Sequence, residues 1–501
     1  MRTWSRALSL AVLLATPTVL AFFSGGYFEG PRLVAGIVAW LLVAVAVAVT
    51  ARPLLPRTTA ARVSLAGLAL LTLWTGLGTL WAPLGTPAQD DFQRLLLYVG
   101  FVLAGAMLLR DLPRRALEPT LALGAFVVVG YSLSERLLPG LLSFSESRSA
   151  AGRLEQPLTY WNAVGCLAAL GVVLCIRVAA DPRQSRITRG LAGGATVPLG
   201  VGVFLSYSRG ALAALVLGLA VLLLLVPRMR PLVKAAAIVV AGCLLASLVA
   251  AALPQVNAPP IAASGSPPAG ATGQGLLMLV TLVVVGAAAG VGVTRVSVGG
   301  AQAPARLRSR RMRALALGGV VLAMVVAVGS LAALEGSPDA DAPQAGAGAR
   351  RLTTLSTDRY AYWRIALRAA ADHPVQGTGP GGFAVEWLAK RDRRQTPSDA
   401  HSLYIETLAE LGLVGGAFLA MFLLGAGAAA LALARDDPQA AAGPSAGLAA
   451  WAVAAGIDWH WEMPGVTLVA LCLAAALIAW AGHSARLARD TDDAVPGGQL
   501  A

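Results

Sequence analysis

Apolar runs of about 20 residues recur along almost the whole chain, separated by short polar connections, and each is long enough to cross a hydrocarbon core as a helix. The pattern predicts about fourteen spans. They lie near 5–23, 33–51, 63–82, 93–109, 116–138, 159–180, 188–207, 210–226, 232–253, 275–294, 313–334, 410–434, 445–461 and 464–482. In lipid only helices and closed barrels satisfy their own backbone groups, and these runs are continuous rather than alternating as barrel strands are. The expected fold class is therefore an all-α polytopic membrane protein with one large extracytoplasmic loop, a bundle of about 12–14 transmembrane helices. The expected organisation is N-terminal transmembrane helices over 1–334, the large loop with short helices over 335–400, C-terminal transmembrane helices over 401–484, and a disordered cytoplasmic tail over 485–501.

Composition agrees with this pattern. Of 501 residues, 57% are hydrophobic and 13% charged, about half the charged share of a soluble domain. A net charge of +13 raises the question of nucleic acid, but the placement of the arginines answers it. Alternate connections carry Arg52, Arg57 and Arg62, then Arg110, Arg114 and Arg115, then Arg177, Arg183, Arg186 and Arg189. The series continues with Arg228, Arg230 and Lys234, the stretch 295–313, Arg435, and finally Arg486 and Arg489. Apart from 139–158 and the long 335–400, the connections between these are poor in basic residues, which is the positive-inside signal of insertion. Both termini are expected in the cytoplasm, and no nucleic-acid partner is implied. Cys166, Cys175, Cys243 and Cys472 lie inside apolar runs and read as small hydrophobes without disulfide or metal spacing. The N-terminus has the basic and apolar parts of a signal peptide, but its length and the spans that follow favour an uncleaved first helix.

The pattern breaks at 350–410. The segment STDRYAYWRIALRAAAD carries capping residues and helix formers. At 100° per residue, Tyr360, Trp363, Ala366, Leu367 and Ala370 are expected to share one face, with Arg364 and Arg368 opposite. Arg359 falls on the apolar face in the first turn, where the helix dipole opposes a cation, so it needs an anionic partner or an exposed position. The run HPVQGTGPGGF must be a tight loop. Its amides could cradle phosphate, but it lacks the spacing of a Walker loop. In SDAHSLYIETLAELG, His401, Tyr404, Ile405 and Leu408 share a predicted face, with Glu406 and Glu410 on the other. An imidazole there can titrate near neutrality and act as a base, or be an interfacial histidine bonded to backbone. Arg209, in the short connection SYSRG at a membrane boundary, is costly unless it faces a cavity or an anion. The charge pattern puts Arg209, Arg359 and His401 on one side of the membrane. Two arginines and a histidine suit a reaction that releases a phosphate-bearing lipid.

The segments PLTYWNAVGCLAAL, SYSRGALAALVLGLAVLLLL, DRYAYWRIALRAAADHPVQGTGPGGF and AHSLYIETLAELGLVGGAFL resemble the O-antigen ligase and polymerase family in order and spacing, over about residues 155–425. The resemblance implies a GT-C-like fold and a glycosyltransferase without metal or other cofactor. Such an enzyme moves a glycan, with inversion, from an undecaprenyl-diphosphate carrier to a glycan, lipid or protein acceptor. Its expected place is the bacterial inner or plasma membrane, among membrane lipid, with an extracytoplasmic active site. By the same resemblance Arg209 and Arg359 grip the diphosphate, and His401 activates the acceptor hydroxyl.

Other residues carry weaker signals. Tyr160, Asn162, Tyr404 and Glu406 are possible sugar or acceptor contacts, although Tyr160 and Trp161 also read as an aromatic belt pair. Asp90 and Asp91 read as solvated residues of a turn. Asp458, His460 and Glu462 in DWHWE sit on alternate residues, but Trp459 and Trp461 mark an interface turn rather than a metal site. The rival readings are a polymerase of the same family, a lipid-linked glycan flippase or transporter, and a non-catalytic envelope component. A flippase should show charges mid-span and two related halves, neither of which is evident here.

Overall fold

A computed structural model of the chain describes residues 2–50, 58–139, 149–226, 229–257, 269–296, 358–391 and 394–492, with a few positions between them. The span expected at 313–334 lies outside the described residues, as do much of the Pro/Ala stretch and the last residues of the chain.

The described residues form helices and no strand. In order they are α1 (Arg2–Ala21), α2 (Glu29–Thr50), α3 (Thr59–Gly78), α4 (Gly85–Leu108), α5 (Arg114–Leu137), α6 (Trp161–Ala180), α7 (Arg186–Leu205), α8 (Arg209–Leu225), α9 (Met229–Ala252) and the single turn α10 (Pro254–Asn257). There follow α11 (Ala271–Arg295), α12 (Arg359–Asp372), α13 (Gly382–Lys390), α14 (Leu403–Asp436), α15 (Pro438–Ile457) and α16 (Pro464–Asp492). Twelve of these helices are long and apolar enough to cross a membrane, and α8 is a shorter apolar helix beside them. The chain is an all-α polytopic membrane protein.

Two helices form the centre of the bundle. All of 162–180 in α6 and of 464–481 in α16 is buried, so both are enclosed on every side, whereas the outer helices bury one stripe only. Small residues let neighbours cross closely where lipid offers no hydrophobic drive to association. In the α3–α14 crossing, a Cβ on Gly67 would stand 2.4 Å from the Phe422 nitrogen, and Ser64 Oγ donates to the Phe422 carbonyl at 2.9 Å. At the C-terminal end of α6 the buried Arg177 donates to the Gln439 carbonyl at 2.6 Å and pairs with Asp181 at 3.1 Å. The site described below lies at the opposite end of α6.

At that end α12 and α13 form a small lobe on the start of α14. Its core is Tyr362, Ile365, Phe383, Trp387, Ala400 and Ala409. The buried face of α12 is thus rotated from the predicted one: Ala361, Tyr362, Ile365, Ala366 and Ala369 are buried, whereas Tyr360 and Leu367 are exposed. Tyr362 wins the inward position because its ring meets Trp387 edge-on at 4.8 Å. Glu410, expected on a helix exterior, is buried because the lobe folds back over it.

The glycine run between α12 and α13 is a strap fastened to α14. The Leu413 amide donates to the Pro374 carbonyl at 2.8 Å, Thr378 to Ala409 at 3.0 Å, and Gly379 to Glu410 at 2.9 Å. The Glu410 carboxylate accepts from the Gly381 and Phe383 amides, both at 3.0 Å. These amides are therefore committed to protein partners and form no phosphate cradle. The strap fits because α14 breaks at Gly412, with φ 64° and ψ −165°, a backbone region open essentially to glycine alone. Gly412→Ala should lower stability by about 2–4 kcal/mol, since its Cβ would also stand 2.2 Å from the Val375 carbonyl oxygen. Gly427→Ala, where a Cβ meets open space, should leave the melting temperature of the purified protein near wild type. Equal melting of the two variants would contradict the strap's role.

Candidate active site

Four connections and helix ends converge on the site: 158–162 before and into α6, 206–209 before and into α8, the lobe with 399–402, and 458–463 between α15 and α16. At the centre is Asp458, 1% exposed. Its Oδ2 accepts from Arg359 Nη2 at 2.6 Å. Its Oδ1 accepts from the Tyr160 hydroxyl at 2.6 Å and the Trp459 amide at 2.9 Å. Asn162 Nδ2 donates in turn to the Tyr160 oxygen at 2.8 Å. Burial alone would raise the Asp458 pKa, but the Arg359 guanidinium and the bonded donors hold it below the usual carboxylate range. Burial and the adjoining Asp458 charge push the Tyr160 phenol well up, so it remains a neutral donor. The sequence thus understates Tyr160: it is a buried member of the network rather than a belt residue at the interface.

Arg359 opens α12, where its need for an anionic partner is met by Asp458. Arg209 opens α8 and lies within electrostatic reach of Arg359 and Tyr360. Two guanidinium groups within electrostatic reach of one another, with the Asp458 carboxylate bonded to one of them, make that region attractive to an anion.

His401 is not on a helix face as the periodicity suggests. It precedes the N-cap Ser402 of α14, in the left-handed region at φ 56°. The turn brings Nδ1 to 3.0 Å from the Asp399 carbonyl oxygen. A carbonyl only accepts, so this contact requires a proton on Nδ1, and in the neutral ring the lone pair is then on Nε2. The ring is half-buried between Tyr362, 5.5 Å away, and Trp459, 6.4 Å away. Trp459 also lies against Tyr160 at 4.3 Å, so this indole joins the histidine to the Asp458 network. The arrangement can hold an anionic leaving group on one side and accept a proton on the other.

The remaining predicted contacts separate. The Tyr404 hydroxyl is committed to the Ala452 carbonyl at 2.7 Å. Glu406 accepts from the Ala400 amide at 2.7 Å and faces Asp399 and Glu462 rather than Arg359. The three candidates of the DWHWE turn also diverge. Asp458 binds Arg359, Glu462 pairs with Arg94, and His460 is fully buried, with neither ring nitrogen hydrogen-bonded among the described residues. Burial pushes the His460 pKa down to about 4, so it is a neutral ring. Asp90 and Asp91 are not solvated turn residues: both lie in α4, where Asp90 pairs with Arg32 and Asp91 with Arg94.

Asp458 is the residue that sequence reasoning passed over. Its signal was present: an ionisable side chain near the end of the expected span 445–461 demands a partner or a function. The flanking tryptophans drew the reading toward an interface turn.

Residues 274–420 match the family described as O-antigen ligase. The matched stretch runs from α11 through the lobe into α14 and contains Arg359, the strap and His401, whereas Arg209 and Asp458 lie outside it. The O-antigen ligase match is the family that the sequence motifs resemble, and it supports glycan transfer at a membrane, by ligation or polymerisation, as the general activity. No curated protein matches the chain.

Proposed function

We propose that this protein is a metal-independent, inverting glycosyltransferase that moves a glycan from an undecaprenyl-diphosphate carrier to an acceptor hydroxyl. The observation that carries the proposal is Arg359 held on Asp458 with Arg209 within its electrostatic reach, together with a half-buried imidazole whose Nδ1 faces a carbonyl, so that the neutral ring carries its lone pair on Nε2. The arginines bind the diphosphate and stabilise the charge that develops as it departs. His401 Nε2 takes the acceptor proton as the acceptor oxygen bonds to the anomeric carbon and the carbon–oxygen bond to the diphosphate breaks. One displacement of this kind, with no covalent enzyme intermediate, inverts the anomeric centre. Asp458 keeps Arg359 charged and aimed until the donor arrives, and Tyr160 and Asn162 hold Asp458.

The reaction belongs on the extracytoplasmic side of the bacterial inner membrane, with both termini in the cytoplasm, as the arginine-rich connections at the other end of the bundle support. Cysteine at the exposed position Thr396 should therefore react with an impermeant thiol reagent in intact cells. Protection there with labelling in broken cells would invert the orientation. For the activity, protein reconstituted with carrier-linked glycan should release undecaprenyl diphosphate only when an acceptor is present. Mass spectrometry of surface glycans in a deletion strain separates the two forms of transfer: a missing attachment means ligation, attached single repeat units mean polymerisation.

A further inference from the structure

On Trp459 and beside the His401 turn, a second polar cluster touches no reacting group of the transfer just described. Carboxylates come to it from three separate elements: Asp91 of α4, Asp399, Glu406 and Glu410 before and in α14, and Glu462 of the turn before α16. Arg94 pairs with Asp91 at 2.8 Å and closely with Glu462, and Glu410 is held by the two strap amides. Asp399 and Glu406 face Glu462, whose guanidinium partner is Arg94, and a ligand oxygen from each of Asp399, Glu406 and Glu462 lies within 4.8 Å of the others. Such a density of negative charge, partly withdrawn from water, demands a neutralising proton or cation.

A second observation points to an occupant. The cluster borders a cavity of about 40 Å³, lined also by Thr75, Trp459 and Trp461. Thr75 is 1% exposed, and its hydroxyl has no hydrogen-bond partner among the described residues. A cavity of this size is too small for a sugar but holds an ion or a water or two. We propose that Asp399, Glu406 and Glu462 bind a hard divalent cation, Ca²⁺ or Mg²⁺, with Thr75 and cavity water completing its oxygen shell. The three donors are all carboxylate oxygens, which selects that class over transition metals. Asp399 and Glu406 are half-buried and leave an approach path, whereas Glu462 is buried and forms the floor.

The ion is structural and touches no reacting atom. It ties the approach to α14, α14 itself and the turn before α16 together at the base of the site. Through the Asp399 backbone carbonyl, which accepts from His401 Nδ1, it fixes the imidazole. That last consequence rests on the transfer reading, but the binding site does not, so the test is made on binding. Protein purified in detergent and stripped with a chelator should melt roughly 3 °C or more higher on addition of millimolar Ca²⁺ or Mg²⁺, and not with equivalent K⁺. Terbium added to the stripped protein should luminesce on tryptophan excitation, because Trp459 and Trp461 line the cavity, and Ca²⁺ should quench the signal by competition. Glu406→Gln, which removes no ion pair, should abolish both effects, and Glu386→Gln, in the lobe, should abolish neither. Absence of both effects in the wild-type protein would mean that protons neutralise the acids and that no cation binds. Persistence of both in Glu406→Gln would place the ion elsewhere and overturn the assignment. Carrier release by the wild type can be normal under either outcome, so failure here leaves the transferase reading standing.

Discussion

Glycan transfer by His401→Ala falls by about two to four orders of magnitude while expression and melting temperature stay near wild type. The fold tolerates the change because His401 lies outside every helix, is half-buried and makes a single backbone contact. Its positive φ introduces one confounding effect, since alanine resists the left-handed region. His401→Asn removes it: asparagine accepts that backbone conformation but offers no base. Both variants should lose carrier release in the reconstituted assay to a similar extent. Normal turnover in either removes the imidazole from proton abstraction and leaves only the anion-binding part of the mechanism.

The second large effect belongs to Asp458. Removing one partner of a buried ion pair leaves the other uncompensated and costs about 3–5 kcal/mol, whereas replacing both is often neutral. Asp458→Ala should therefore destabilise the protein, abandoning Arg359 and the Tyr160 hydroxyl together, and lower transfer by about a hundredfold. Arg359→Met alone should destabilise it as well, because the Asp458 carboxylate is 1% exposed. The double change Arg359→Met with Asp458→Asn should recover most of the thermal stability and none of the transfer. Melting curves and carrier release, measured on the same preparations, separate the two roles. A double variant that melts no higher than the singles would show that the pair is not energetically coupled, and recovery of turnover would remove Arg359 from donor binding.

The spans were legible because each apolar run satisfies its own backbone and carries its signal locally. Every expected span that falls within the described residues meets a helix there. Ends were less legible. Leu403 to Glu410 reads as a helix with Glu406 and Glu410 on its outer side, yet it is continuous with the span in α14 and buries Glu410, since the lobe covers it and supplies contacts that sequence periodicity does not contain. The same cause rotated the buried face of α12, where Tyr362 meets Trp387 of α13 across the glycine strap. Charge was legible as topology before it was legible as chemistry. The alternation of arginines brings Arg209, Arg359 and His401 to one end, but the partner that organises Arg359 comes from the turn between the last two spans, 99 residues further on. No local rule connects them.

The glycine run would ordinarily mark the most yielding part of such a molecule, a place for a lid to swing. Here the swing is blocked. Lifting the strap would break its main-chain bonds to α14 and expose the Glu410 carboxylate, an expense of several hydrogen bonds at about 1 kcal/mol each, with a glycine-only backbone left unsupported at Gly412. A bulky substrate entering by movement at this joint would meet that expense in full, whereas one arriving sideways between helices or from above a standing roof would not.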